Sequence, residues 1–257
     1  MECEFFKITT YIKMPNLTII TVAHKNPEGL ALLKADIQPA LGPNIEWIIK
    51  DSGVCEISSA WGNEIGDENI QFYSKLDSGI YSALNFALTK CTSDFYLVVG
   101  SDDSLHAKSL LIIDEMIQYG EFEGIDIASF PVLINKKIFH RKLMRPCFVS
   151  VGGLVSSHSV GTLIRRSLHE SIGDYDEKYK ILADAFFLRR AYENGAQFKH
   201  YKEPITGCFS TVGISNTQHA RRILEAYSYN VACGDAPALQ SLIMLLRTLI
   251  KKPLTFI

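Results

Sequence analysis

The run FYLVVGSDDS, from Phe95 to Ser104, constrains this chain more than any other stretch. Phe95, Tyr96, Leu97, Val98 and Val99 follow one another without a polar break. Such a run suits a strand covered on both faces, as in a parallel sheet flanked by helices. Gly100, Ser101, Asp102 and Asp103 come next, and a helical pattern is predicted from Ser104 to about Tyr119. A pair of carboxylates therefore stands at the carboxyl end of a central strand, where open α/β sheets take their ligands. Adjacent carboxylates repel each other and resist desolvation unless a cation pairs with them. Oxygen-only ligands suit Mg²⁺ or Mn²⁺, ions that commonly use one or two carboxylates together with substrate phosphates. The same residues also suit a plain strand-to-helix turn with Ser104 as N-cap.

The rest of the chain surrounds that strand with others. LTIITV (Leu17–Val22) is rich in β-branched residues and predicts a first buried strand. A helix is expected from Pro27 to Leu41, a second strand over Glu46–Lys50 closed by Asp51, Ser52 and Gly53, and a helix between Val54 and Trp61. Ile70–Ser74 reads as a third strand, and Leu76–Lys90 contains a helical segment. Strands alternating with helices predict an α/β fold of right-handed βαβ units around a mostly parallel sheet. Beyond the Asp pair, Ile125–Leu133 is strand-like, Lys136–Lys142 is basic and Val149–Val160 is rich in Gly, Ser and Val. Further strands are expected over Gln197–Tyr201 and Ile205–Ser210, with a helix over Asp184–Asn194.

With 257 residues and 47% hydrophobic content, the chain can bury one large α/β domain or two small ones. A formal net charge of −2 gives no reason to expect nucleic acid as a partner. Cys3, Cys55, Cys91, Cys147, Cys208 and Cys233 are scattered, without metal-ligand spacing, and read as small buried hydrophobes of a reducing compartment. No basic segment followed by a long apolar run opens the sequence, so the expectation is cytoplasmic, with Met1 or Met14 as the start.

Several short stretches, taken in order, resemble the family 2 inverting glycosyltransferases of GT-A fold. The similarity is greatest to small bacterial enzymes of exopolysaccharide, capsule and O-antigen assembly, of the colanic-acid type. Thr21, Val22 and Ala23 match the end of that family's first strand, and Asp51, Ser52 and Gly53 the end of its second. SKLDSGIYSALNFA (Ser74–Ala87) echoes the family's S-E-x-D-x-G-I-Y-D-A-M-N-K-G through Asp77, Gly79, Ile80, Tyr81, Ala83 and Asn85. Lys75, Ser82 and Phe86 depart from it. The N-S-D-D-type metal segment falls on Gly100–Asp103, and GDYDEKYKILAD (Gly173–Asp184) matches G-x-F-D-E-x-Y-K-I-x-A-D. His158 stands where relatives often carry His-Gln, with Ser159 in place of the Gln, and Phe209, Gly213, Ile214 and Ser215 resemble a late F-x-x-G-G-x-S segment.

The resemblance implies transfer of a sugar from a nucleotide diphosphate donor to a saccharide acceptor, polyprenyl-linked in many relatives. It implies Mn²⁺ or Mg²⁺ on Asp103 with Asp102, and donor contacts from Thr21, Ala23, Asp51, Asp77, Tyr81, Asn85 and Asp102. Asp184 becomes the catalytic base and His158 a candidate on the acceptor side. Ala183, Phe186 and Phe187 give Asp184 a partly apolar setting, which would raise its pKa toward that of a useful base. Plain alternatives stay open: Asp51 as a turn residue, Asp77 as a helix cap, Asp184 as a helix start, His158 as a packing residue. Arg189 and Arg190 follow as candidates for the diphosphate or for a solvated face.

Residues 1–216 are expected to form the catalytic domain, with about 17–104 handling the donor and 105–216 the acceptor. Residues 217–257 are expected to form a helical extension, with CGDAP (Cys233–Pro237) as hinge. Within it Leu239, Leu242, Ile243, Leu246, Leu249 and Ile250 recur at helical spacing, with Arg247, Lys251 and Lys252 beside them. Such a helix over 238–252 suits the inner face of an anionic membrane, or packing on the catalytic domain or a second subunit. Against the enzyme stands a reading from another class, a catalytically silent saccharide-binding or scaffolding partner of a membrane synthase complex.

Overall fold

The computed structural model describes residues 14–54, 56, 62, 66–140, 154, 155, 158–211 and 218–249. Most of the helix expected between Val54 and Trp61, the segment Gly213–Ser215, and Lys251 and Lys252 lie outside the described residues. So do most of Val149–Val160 and the end of Lys136–Lys142.

Four parallel strands form one half of the main sheet: β1 (Leu17–Ala23), β2 (Ile45–Asp51), β3 (Ile70–Ser74) and β4 (Phe95–Gly100). β1 is the centre, paired with β4 on one side and β2 on the other, and β3 lies outside β2. Both β1 and β2 are buried almost throughout, as their continuous apolar runs require in a sheet covered on both faces. Beyond β4 the sheet continues through β9 (Thr162–Arg165) to β6 (Ile127–Ser129) and β10 (Phe198–His200). β9 runs antiparallel to both of its neighbours, so the sheet is mostly parallel. A second, smaller sheet has the order β5 (Ser104–Leu105), β11 (Gly207–Phe209), β7 (Val132–Ile134), β8 (Lys137–Phe139).

Strand periodicity divides the core. Leu17, Ile19, Trp47, Ile49, Leu97 and Val99 point to one face, where helices α1 (Pro27–Ile37) and α3 (Ala107–Gln118) pack. Ile20, Ile48 and Tyr96 point to the other, covered by α2 (Ile80–Leu88), α5 (Ala183–Glu193) and α6 (His219–Ala232). A short α4 (Leu168–Ile172) precedes α5, and α7 (Pro237–Leu249) follows α6. No described helix is long and apolar enough to cross a membrane.

Three elements differ from the sequence expectation. The helix after the Asp pair starts at Ala107, because Ser104 and Leu105 pair antiparallel with Cys208 and Gly207 as an edge strand. Ser104 is therefore not its N-cap; His106 holds that position. Ile125–Leu133 splits into β6 and β7 in different sheets, since Pro131 has no N–H to continue a ladder. The first helix stops at Ile37 and tightens into a 3-10 turn, Gln38–Ala40, around Pro39.

Candidate active site

The carboxyl ends of β4, β1, β2 and β3 lie in register, with Val22 beside Gly100, and Ala23, Asp51 and Ser74 beside one another. Short bonds tie their loops into one edge. The Asn26 amide donates to the Ser101 carbonyl (3.0 Å), and the Ser52 N–H to the Ala23 carbonyl (3.0 Å). Asn26 also caps α1, accepting from the Gly29 N–H at 3.1 Å.

Asp51 is fully buried. Its Oδ2 accepts from the Gly53 N–H (2.8 Å) and Ser74 hydroxyl (3.2 Å), the Asx-turn geometry of a plain turn. Its Oδ1 is buried and has no hydrogen-bond donor among the described residues. An unmatched buried carboxylate oxygen is costly unless a ligand supplies the donor. Beside it, the buried Lys50 ammonium bridges the Asp51 carbonyl (2.6 Å), the Lys75 carbonyl and Asp77 Oδ2 (3.1 Å). Asp77 Oδ1 in turn accepts from the Gly79 N–H at 3.1 Å, just before α2. Gly79 has φ +135°, a conformation that favours glycine, and it stands at the N-cap of α2.

Asp102 is exposed and Asp103 partly buried beside it. Asp103 Oδ1 accepts from the Ser210 N–H (2.7 Å) and Oδ2 from the Gly100 N–H (3.1 Å). Burial, followed by the neighbouring Asp102 charge, pushes the Asp103 carboxyl up to about 7, and the two amide bonds oppose that rise. No described lysine or arginine forms an ion pair with either carboxylate. Hard oxygen donors, mutual repulsion and the lack of a cationic partner fit a divalent ion at this pair. The described residues contain no group of three or more His, Cys, Asp or Glu arranged for a metal, so among them the candidate ligands are Asp102 and Asp103.

Asp184 lies in the first turn of α5, where the helix dipole favours a carboxylate. Its Oδ1 accepts from the Tyr81 hydroxyl and the Ala185 N–H, each at 2.8 Å. Burial raises its pKa, while the Tyr81 and backbone hydrogen bonds pull it back. The structure thus joins the two longest motifs at one carboxylate: Tyr81 from the GIY segment and Asp184 from the end of the KILAD segment.

Other expected donor residues have different tasks. Thr21 is fully buried and its hydroxyl accepts from the Trp47 indole at 2.9 Å, so its side chain belongs to the core. Ala23 offers only backbone at the edge, its carbonyl holding Ser52. Tyr81 is 5% exposed and its hydroxyl meets Asp184 and the Ile181 carbonyl (2.7 Å), which makes it a support for Asp184 instead of a free donor ligand. Asn85 donates to the Tyr175 carbonyl (2.9 Å) and accepts the Tyr175 N–H (3.1 Å), clamping the loop before α5. His158 stacks on Phe209, with ring centroids 3.5 Å apart, and its Nδ1 is 3.0 Å from the Ser159 hydroxyl. Phe209 precedes Ser210, so His158 lies next to the segment that holds Asp103. Arg189 is buried and paired with Asp235 and Glu193, away from solvent, and Arg190 donates to the Asp174 carbonyl.

Sequence reasoning passed over Lys50, Asn26, Ser210 and Glu225. Lys50 had a signal, a lone cation at the end of an apolar strand. The others act through backbone contacts made between distant segments.

The fold defines the architecture: a mixed α/β fold of GT-A type, a mostly parallel sheet flanked by helices, with carboxylates along the carboxyl edge of the sheet. The comparisons with known proteins agree. The PGL/p-HBAD biosynthesis glycosyltransferases of Mycobacterium tuberculosis (strain ATCC 25177 / H37Ra) and Mycobacterium bovis (strain BCG / Pasteur 1173P2) are each 25% identical over 200 residues. Those residues cover 74% of this chain and 75% of each relative. Among solved structures, S. aureus TarS 1-349 in complex with UDP-GlcNAc aligns over 91% of this chain and 71% of its own, with TM-score 0.62 at 13% identity. The mannosyltransferase PcManGT from Pyrobaculum calidifontis, in complex with GDP-Man and Mn²⁺, aligns over 90% of this chain and 68% of its own, with TM-score 0.63 at 12% identity. No family model matches the chain. The chain is a glycosyltransferase.

Proposed function

We propose that this glycosyltransferase is a metal-dependent, inverting enzyme of the family 2 type. It moves a sugar from a nucleotide diphosphate to a saccharide acceptor, polyprenyl-linked, in bacterial surface polysaccharide assembly. The observation that carries this reading is the Asp184 carboxylate, raised by burial and held by Tyr81 from the helix that follows the Asp51–Lys50–Asp77 cluster. A base and the donor-side carboxylates are thereby tied together through named contacts. The donors printed for the solved neighbours, UDP-GlcNAc and GDP-Man, support a nucleotide sugar here, and the Mn²⁺ of the mannosyltransferase supports a divalent ion.

In this reading Asp51 Oδ1 accepts a hydrogen bond from the nucleoside, filling the vacancy in its hydrogen bonding. Asp103 and Asp102 would hold Mn²⁺ or Mg²⁺. The ion, when bound, stabilises negative charge on the departing diphosphate. Asp184 accepts the proton of the acceptor hydroxyl as that oxygen bonds to C1 and the C1–O bond to the diphosphate breaks. One displacement inverts the anomeric centre. Tyr81 keeps the carboxylate oriented, and its hydrogen bond holds the pKa below what burial alone would set.

The exposed leucines of α7, Leu239, Leu242, Leu245 and Leu246, face away from the rest of the protein, while Gln240 is buried and holds Asn230. This exposed apolar face suits the surface of an anionic inner leaflet, where a polyprenyl-linked acceptor would reside. A cytoplasmic, membrane-peripheral enzyme follows.

Thermal-shift screening of UDP-, GDP- and dTDP-sugars with Mn²⁺ tests the donor assignment, because a true donor stabilises by mass action. Anomeric analysis of the product by NMR tests inversion. Failure of every nucleotide sugar to bind or turn over, or retention of configuration, would overturn the reading.

A further inference from the structure

We propose that Glu225 is a positioning residue for the reaction, holding the Asp184 carboxylate in place from α6; the proposal rests on the reading of Asp184 as the base. α5 begins without a side-chain cap, since Leu182 occupies its N-cap position. Amides at a helix start need acceptors. Glu225, 43–45 residues further along, takes the N-cap amide and the two before it: Oε1 accepts from the Lys180 N–H (2.8 Å), and Oε2 from the Ile181 (3.0 Å) and Leu182 (3.1 Å) N–H groups. Consecutive amides converging on one carboxylate form an anion-holding nest at the mouth of the helix. Glu225 is 8% exposed, and Arg221 donates to Oε1 at 3.1 Å.

Ile181 is the point of control. Its N–H goes to Glu225 on α6, and its carbonyl accepts from Tyr81 on α2. The same Tyr81 hydroxyl lies 2.8 Å from Asp184 Oδ1, so its one proton is shared between the two acceptors. The residue three before the base is thus clamped from two helices. The body of α5 is locked to the same segment: Tyr229 stacks on Phe186 with centroids 3.8 Å apart, and Arg189 reaches Asn230 (2.9 Å) and Asp235 (3.0 Å). The helical extension after residue 216 therefore shapes the catalytic centre through Glu225.

The titratable groups facing Asp184 are Tyr81 from α2, Tyr175 from the loop before α5, and Glu225 from α6. The Glu225 charge raises the Asp184 pKa, whereas Tyr81 lowers it. Removing that charge should let Asp184 ionise at lower pH. Misplacing the carboxylate by a fraction of an ångström should lower turnover about ten- to a hundredfold.

The test compares Glu225→Gln, Glu225→Asp and Asp184→Asn with wild type at saturating donor and Mn²⁺, reading kcat against pH together with donor KM. The expected result for Glu225→Gln is unchanged donor KM, a lower plateau in kcat, and an acid limb moved to lower pH. Glu225→Asp keeps the charge but shortens the reach, so its plateau should drop while its acid limb stays in place. If both variants match wild type in plateau and acid limb while Asp184→Asn is inactive, Glu225 has no positioning role. If Asp184→Asn is itself nearly as active as wild type, the base assignment falls and this proposal with it.

Discussion

The Tyr81 hydroxyl lies 2.8 Å from Asp184 Oδ1, joining residues 103 positions apart in the chain. The tyrosine belongs to α2, which starts immediately after the Lys50–Asp77 ion pair, and the aspartate to the first turn of α5. Tyr81→Phe removes one hydrogen bond to a carboxylate without removing the ring from the core. Because that bond lowers the Asp184 pKa, the acid limb of kcat should move to higher pH. Equilibrium denaturation should show a loss of about 1.5–3 kcal/mol, the range for a hydrogen bond to a charged group. An unmoved acid limb would separate Tyr81 from the titration of Asp184.

Asp103 governs a linked effect of pH and metal. Its folded-state pKa, about 7, is above its ordinary value of 3.8. Between those values the folded state binds the proton more tightly than the unfolded state, so metal-free stability should fall as pH rises from about 4 to about 7. Mn²⁺ should reverse that loss by holding the carboxylate ionised. Asp103→Asn removes the charge but also loses one of two backbone amide bonds, so its metal-free melting temperature should change little. Mn²⁺ should no longer stabilise the variant, and thermal unfolding over a pH series with and without Mn²⁺ reads both effects.

Lys50 is a buried cation whose partners are two carbonyls and Asp77. Lys50→Met would leave the Asp77 carboxylate without its counter-charge, and breaking one side of a buried pair typically costs about 3–5 kcal/mol. Urea denaturation should show a loss of that order, and donor KM should rise because Asp51 and the start of α2 share the same support.

Gly29 meets the β4 loop at close range. A Cβ placed there would stand 2.0 Å from the Ser101 carbonyl oxygen, which is backbone and cannot move aside alone. Gly29→Ala should therefore displace the Ser101–Asp103 loop, weakening Mn²⁺ binding as well as stability. Normal Mn²⁺ affinity measured by titration calorimetry would contradict that coupling.

The strands were readable because a sheet buried on both faces demands uninterrupted apolar runs, and LTIITV, EWIIK and FYLVV supply them. Asp102 and Asp103 stood out because a carboxylate pair follows an uninterrupted apolar run. Asp51 and Asp184 were marked by family resemblance; they lie at the end of β2 and in the first turn of α5. The second sheet was not, since Ser104–Leu105 carries no strand pattern and exists only through its pairing with β11. Thr21 and Asn85 were expected as donor contacts because the family resemblance implies that role for their positions. Their partners, Trp47 and Tyr175, became apparent only once the chain was folded. Glu225 had no local mark at all: its task comes from three amides on a different segment.

The central claim is that Asp184 removes the acceptor proton, and Asp184→Asn tests it most directly. Asn fills nearly the same volume, accepts the Tyr81 hydroxyl and remains compatible with the helix start, so folding should persist. Turnover of a soluble acceptor analogue, measured beside donor affinity and across pH, is the decisive reading. The account predicts near-normal donor affinity, a drop in turnover of roughly 10²–10⁴, and loss of the acid limb from the residual activity. Turnover within a few-fold of wild type, with the acid limb intact, would contradict it.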